Sequence, residues 1–426
     1  MWLVSRWTRR DDNIKTEERK CCPPFLKPFS DERFSCSPAF DNSFSGYVAN
    51  RAHDRIPLND IPFMPTNCSD IKRRRFFSPT PLSEAERRFP IAFVRLVYKD
   101  YFLQEMMLSV QYQPQNTYCY SIDYKAGMQF RDRMLQMASC FPNVLVSAKQ
   151  RIVTSFGHQM YAAQLDCLEL IKDFEWKYVQ LLQNDDIPLK TNLEMIKVLK
   201  LLNGANDVAT RNFPFSRLPN ASKWTLQNMN VFKDPARNVE TLTGTSPTFN
   251  FSKSVVQVSL TKEFVEFLID EVNIRELAQK IEDESYYGFD EVLYSSLNSM
   301  DAVNVPGGFT TKCLEEGIET GGVTRFSLWN KTGCQNIRHS MCMLEVDHLS
   351  WLIDLPHLYA NKFVQGYDIR PPVCLLELLY NRTFLEKYRY RLDTNYYQNL
   401  PHVRYQRMKN IRGADVKELC AGGQNL

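Results

Sequence analysis

Residues 176–192 read WKYVQLLQNDDIPLKTN. The apolar run at 177–182 has the length and composition of a buried strand. It breaks into a polar turn at two adjacent carboxylates, Asp185 and Asp186. Pro188 pre-sets φ and ends the turn, and Thr191-Asn192 supply an N-cap for a helix over 193–202. A strand that delivers acids and a helix N-terminus to one edge of a sheet suits a phosphate-bearing ligand.

The same alternation continues upstream. PIAFVRLVY (90–98) reads as a buried strand, 99–111 has helical spacing, and PQN (114–116) is a turn. TYCYSID (117–123) is a second strand ending in Asp123, 127–139 is helical, NVLVSA (143–148) is a third strand, and 159–174 is a helix. Downstream, SVVQVSL (254–260) reads as a strand, with helices at 262–269 and 273–284. YYGFDEVLYSSL (286–297) has a polar start and an apolar helix behind it, which places Asp290 and Glu291 in the first turn. Strands alternating with helices of this length predict an α/β fold, a doubly wound and mainly parallel sheet flanked by helices. Residues 1–85 form an irregular, stem-like region, 86–385 the main domain, and 386–426 an aromatic and basic C-terminal extension, either strand-poor and lying on the domain or a disordered end. The basic run IKRRRFF (71–77) reads as a solvated segment.

Composition narrows the function. A net charge of +3 gives no support to nucleic acid or an acidic membrane as partner. No apolar run is long enough to span a bilayer, and MWLVSRWTRR lacks the apolar core of a signal peptide. Yet there are twelve cysteines without a CxxC pair, and acceptor sequons at Asn67, Asn220, Asn250, Asn330 and Asn381. Together these point to an oxidising secretory compartment, so the chain is expected to start downstream of its true anchor. Sequencing the 5′ end of the transcript tests that expectation.

Nucleotides bind such sheets beyond the carboxyl ends of the strands, where Asp123 stands. There is no GxGxxG, Walker loop, GxSxG or HExxH, which weakens the dehydrogenase, P-loop, hydrolase and zincin readings. A nucleotide-binding sheet without a glycine-rich loop points to a nucleotide-sugar transferase. Cys334, His339, Cys342 and His348 fit no common zinc spacing, and a short disulfide loop with Arg338 and His339 at its tip fits better.

FPIAFVRLVYKD, PQNTYCYSID, SCFPNVLVSAK, AAQLDC, WKYVQLLQNDDIPLKTNLE, DEVLYSSL and LYANKF occur in this order. Over roughly residues 89–375 they resemble the core 2/I-branching β-1,6-N-acetylglucosaminyltransferases, glycosyltransferase family 14. The resemblance implies a GT-A-type fold, an inverting mechanism without a metal, a UDP-sugar donor, an O-glycan or glycoprotein acceptor, and a type II Golgi membrane protein acting in the lumen. It implies the disulfides Cys36–Cys374, Cys68–Cys140, Cys119–Cys167 and Cys334–Cys342, with Cys21, Cys22, Cys313 and Cys420 outside the pattern. Glu291 matches the catalytic base, Asp123 an acid of the UDP pocket, Lys362 a diphosphate-binding lysine, and Trp329 an acceptor-side tryptophan. The second diphosphate cation falls on His339 or its neighbour Arg338. Arg338 is preferred because a guanidinium stays charged and forks onto phosphate. Arg217 and Lys223 are further donor- or acceptor-side cations, and Ala209 stands where the best-known core 2 enzymes have an acidic acceptor contact. The Asp185-Asp186 pair is not a DxD motif and is expected to be structural or to shape the donor pocket. A related transferase using another UDP-sugar, glucosyl or xylosyl, and a non-catalytic glycan-binding relative are the rival readings.

Overall fold

A computed structural model describes residues 7–9, 22–25, 27, 35–40, 55–214, 224–240, 243–282, 288–329, 334–385, 388–410 and 420. Its centre is a five-stranded sheet. Strand β1 (Ile91–Val97) lies between β2 (Thr117–Ile122) and β4 (Tyr178–Gln183) and is parallel to both. β3 (Val144–Val146) extends the sheet beyond β2 in parallel, and the short strand β6 (Ser259–Thr261) closes the other edge antiparallel to β4. A strand enclosed on both faces has no polar side to show, which is why IAFVRLV is apolar almost throughout. Its alternation still decides layers. Ile91, Phe93 and Val97 join one core with helices α1 (Tyr101–Gln111) and α2 (Met128–Ser139), whereas Ala92 and Val94 join a second core with α3 (Met160–Ile171). The result is the layered, mainly parallel α/β architecture expected from the sequence.

The one charged residue of β1, Arg95, donates to the carbonyls of Gln183 (2.9 Å) and Asp186 (2.8 Å). It therefore fastens the Asp185-Asp186 turn to the central strand. That turn leads into β5 (Ile187–Pro188), which belongs to a separate three-stranded sheet ordered β7 (Arg325–Ser327), β10 (Tyr359–Asn361), β5. The following helix, α4 (Asn192–Leu201), begins with a capping box in which Thr191 and Glu194 satisfy each other's amides. Two of its terminal amides are thus satisfied from within the chain, and Asn192 is buried on Glu86 at 2.8 Å. No residue of this helix start lines the cleft described below. The turn delivers Asp185, and the helix delivers nothing, to the cleft described below.

Two further expectations change. Only the last residues of SVVQVSL are strand; Val255, Val256 and Gln257 instead wall the cleft. Asp290 and Glu291 sit in a 3₁₀ turn (Phe289–Glu291) ahead of α6 (Leu293–Ser299), not within that helix, α5 being Lys262–Asp270.

The described part of the N-terminal region packs tightly on the rest. Asp60 accepts from the amides of Tyr101 (2.9 Å) and Phe102 (3.3 Å) and so caps α1, and Leu58 pairs with Gln365 through backbone and side chain. The basic run is not simply solvated: Arg74 and Arg75 both pair with Glu105, whose side chain is fully buried. A run of like charges hides this, because its countercharge lies 30 residues away. At the other end, His402 meets the buried Asp207 at 3.4 Å, which lays the C-terminal extension on the domain.

Disulfides join Cys36–Cys374, Cys68–Cys140, Cys119–Cys167 and Cys334–Cys342, the four pairs implied by the resemblance, and a fifth joins Cys313–Cys420. Of the sequons, Asn67 is an exposed helix N-cap, Asn250 is exposed, and Asn381 is half-buried in α7 (Arg370–Phe384). Asn220 and Asn330 lie outside the described residues.

Candidate active site

A cleft of about 380 Å³ opens beyond the carboxyl ends of β1, β2 and β4. Asp123, Asp185, Glu291, Trp329, Arg338, His339 and Lys362 all line it. These residues are far apart in the chain, and each is delivered by a different local device.

Asp123 follows β2, and its amide continues the ladder to the Val97 carbonyl at 3.0 Å. Its carboxylate accepts from the Lys125 amide at 2.8 Å and has the Lys125 ammonium 3.8 Å away. Glu291 is set by the 3₁₀ turn. Its carbonyl accepts from the Ser254 amide (2.7 Å), and the next two amides, of Val292 and Leu293, donate to Tyr161 Oη. The Glu291 carboxylate pairs with Lys253 at 2.7 Å through Oε2. Lys253 went unnoticed in the sequence, since a lone lysine in the polar–apolar run TFNFSKSV (248–255) carries no signal of a partner 38 positions on.

Asp290, beside it, is pressed against Gly157, whose φ of +95° and missing Cβ let the backbone approach the carboxylate. Burial, then the charge of Glu291, push the Asp290 carboxyl up to about 7. A carboxyl that holds its proton more tightly when folded contributes stability fully present below the usual 3.8 and lost as pH rises through about 7. The melting temperature of the ligand-free protein is therefore expected to fall as pH rises from about 4 to about 7 and to level off above, and Asp290→Asn is expected to flatten that fall. Parallel melting profiles for wild type and variant would overturn the assignment.

The cations come from the other side of the chain. Strands β8 (Ile337–Arg338) and β9 (Met341–Cys342) form a two-stranded hairpin whose turn residues His339 and Ser340 have φ of +50° and +63°. Positive φ at both central positions is the type I′ pattern that matches strand twist. The Cys334–Cys342 bridge braces its base. This is the disulfide loop anticipated from the sequence, with Arg338 and His339 exposed at its tip. Burial, then Lys362 and Arg338, lower the His339 imidazole below its usual range. It is therefore neutral near pH 7, which favours Arg338 as the charge carrier. Lys362 directly follows β10, and its carbonyl accepts from the Leu344 amide at 2.8 Å. Burial lowers its ammonium from the usual value, and Asp185 partly restores it.

The two adjacent carboxylates divide their work. Asp186 is fully buried; it accepts from the Gln183 amide (2.6 Å) and from Asn361 (2.8 Å), tying β4 to β10. Asp185 lines the cleft. They do not present a joint pair of oxygens to a metal ion there. Trp329 is 52% exposed at the mouth. Arg217 and Lys223 lie outside the described residues. A further lining residue, Arg325 in β7, was not singled out in the sequence.

A family model described as Core-2/I-Branching enzyme matches residues 91–353, more than half of the chain. The bovine protein named beta-1,3-galactosyl-O-glycosyl-glycoprotein beta-1,6-N-acetylglucosaminyltransferase is 29% identical over 331 residues, covering 74% of this chain and 75% of its own length. A human protein of the same name is 28% identical over 348 residues, 78% of this chain and 79% of its own. A second human protein, whose name carries the numeral 3, is 27% identical over 351 residues, 76% of each.

Proposed function

The chain belongs to the core-2/I-branching enzyme family and is a glycosyltransferase, and from that premise we propose that it transfers N-acetylglucosamine from UDP-N-acetylglucosamine to a hydroxyl of an O-linked glycan in β-1,6 linkage. The observation that carries this is the meeting, in one cleft, of Glu291 with the cations Lys362 and Arg338. The names of the relatives supply the sugar and the linkage.

The chemistry is one displacement with inversion. Glu291 takes the proton of the acceptor hydroxyl as that oxygen bonds to the anomeric carbon. The bond from that carbon to the β-phosphate oxygen breaks, and UDP leaves with the electron pair. Lys253 holds Oε2 of the base, which leaves Oε1 to receive the proton. Lys362 and Arg338 stabilise the charge developing on the diphosphate, work that fixed cations in a water-poor site do without a metal. His339 is the weaker alternative to Arg338, for the reason given by its neutrality. Asp123 is placed at the nucleoside, and Trp329 at the acceptor.

We place the active protein in the Golgi lumen. The disulfides suit an oxidising compartment, and Asn67 and Asn250 are open to glycosylation. No helix among the described residues is long and apolar enough to cross a membrane.

The test is UDP release by the secreted chain from UDP-N-acetylglucosamine with a core 1 disaccharide, with and without EDTA. Turnover that survives EDTA is expected. Turnover only with UDP-glucose or UDP-xylose would move the protein to another donor class, and glycan binding without turnover from any donor would overturn the enzymatic role of the cleft.

A further inference from the structure

A second hollow, of about 160 Å³, opens beside the cleft and shares Val255, Gln257, Arg325 and Trp329 with it. Arg211, Arg325 and His357 line it, and no Asp or Glu does. The shared members Arg325 and Trp329 make it continuous with the end of the cleft where the acceptor is placed.

Arg325 is unusual in its surroundings. Its side chain is only 6% exposed. The nearest anion among the described residues is Asp186, at 3.8 Å, beyond hydrogen-bond reach. The oxygens of Asp186 are already engaged by Gln183 and Asn361. Arg325 Nε is buried with no hydrogen-bond partner among the described residues. The position is held firmly: the preceding Val323 and Thr324 amides both donate to the buried Asp207, and Thr324 Oγ1 does so as well. A guanidinium remains charged at neutral pH and presents five donors in a planar fork. Leaving its Nε–H buried and unbonded is costly, and the guanidinium fork matches a carboxylate or a sulfate. His357 adds a second buried nitrogen, Nδ1, that is likewise without a partner. Arg211 stands exposed at the hollow. The alternative is that Arg325 merely balances Asp186, Asp290 and Glu291, which a change of acceptor would not reveal.

We propose that this hollow is an acceptor-side subsite for an anionic group, a carboxylate or a sulfate ester carried by the glycan, gripped by Arg325 with Arg211 at the entrance. The proposal rests on the transferase reading for its acceptor, though not for its anion. It assigns specificity and leaves the displacement at Glu291 unchanged.

The experiment compares acceptors in the full chain with UDP-N-acetylglucosamine. One is the neutral core 1 disaccharide, one its analogue with a terminal β-glucuronic acid, and one its galactose-6-sulfate form. The expected result is a kcat/KM higher for a charged acceptor by roughly 10- to 100-fold, the range of one hydrogen-bonded charge pair. Arg325→Gln is expected to bring that ratio to about one, through KM of the charged acceptor, and Arg211→Gln to reduce it by about threefold. The better of the two charged forms identifies carboxylate or sulfate. Equal use of neutral and charged acceptors by wild type, or a ratio unmoved in Arg325→Gln, overturns the subsite. Should no acceptor turn over, methyl β-glucuronide and methyl β-galactoside 6-sulfate are titrated by NMR, beside UDP. Binding of either saccharide that vanishes in Arg325→Gln supports the subsite even if UDP fails to bind and the transferase reading falls. UDP binding without either saccharide retains the transferase reading and overturns the subsite.

Discussion

Replacing Glu291 by Gln is expected to lower transfer to the acceptor by roughly 10²–10⁴-fold, the contribution of a positioned general base. The substitution keeps the shape of the side chain, and an amide oxygen can still accept from Lys253, so the 3₁₀ turn and its bonds to Ser254 and Tyr161 have no cause to move. What is lost is the oxygen that takes the hydroxyl proton. UDP affinity, measured calorimetrically, is expected to stay within about threefold, because the diphosphate cations come from other strands. The combination is diagnostic: a fall in kcat at constant UDP affinity marks an interaction made in the transition state. Asp290 supplies the control. It lies next in the chain, lines the same cleft and holds a proton up to about pH 7. If Glu291→Gln costs less than tenfold and Asp290→Asn costs more, the base has been misassigned by one residue.

How much of this was legible in the sequence depends on how far each argument reaches. Buried parallel strands announce themselves locally, as IAFVRLV and YVQLLQ do, because two covered faces leave no room for polar alternation. The capping box at Thr191 is equally local. The helix start read beside it as suited to a phosphate does not reach the cleft: its capping box turns Glu194 back onto Thr191, and Asn192 is buried on Glu86, placements that helix start signals do not reveal. SVVQVSL looks like strand by its apolar residues, yet a cleft wall needs the same composition. Glu291 itself was identified by resemblance; from the residues alone, two acids before a helix are most simply dipole-favoured ones. Lys253 escaped because its partner, Glu291, lies 38 positions away, and Arg325 because the nearest anion, Asp186, lies 139 positions away and does not bond it. Arg325 did leave one trace: a single cation between Thr324 and Phe326, in a strand with an otherwise uncharged face. Cys313 and Cys420 fell outside the implied pattern because their bridge ties the C-terminal extension, where the resemblance ends.

Removing the Lys362 charge tests how the leaving group is stabilised. Lys362→Met keeps the aliphatic stem and deletes the ammonium, and it is expected to lower kcat by about 10²–10³-fold, as for the loss of one preorganised electrostatic contact to a developing anion. Burial already lowers this ammonium, and Asp185 beside it only partly compensates. An arriving diphosphate completes its neutralisation, so ground-state binding of UDP should weaken as well. The cost in kcat should nevertheless exceed the cost in binding, since negative charge on the β-phosphate grows as the sugar–phosphate bond breaks. Arg338→Ala is expected to follow Lys362→Met in direction, and His339→Ala to have the smaller effect because its imidazole is held neutral by burial and by both cations. The contrasting mechanism would put a divalent ion on Asp185. It predicts loss of turnover in EDTA, a large effect of Asp185→Asn and a small one of Lys362→Met. Asp186 gives that ion little help, for its oxygens are turned to Gln183 and Asn361. Turnover rates of the four variants, each with and without EDTA, separate the two mechanisms in one experiment, and EDTA-sensitive turnover with an indifferent Lys362 would overturn the cationic one.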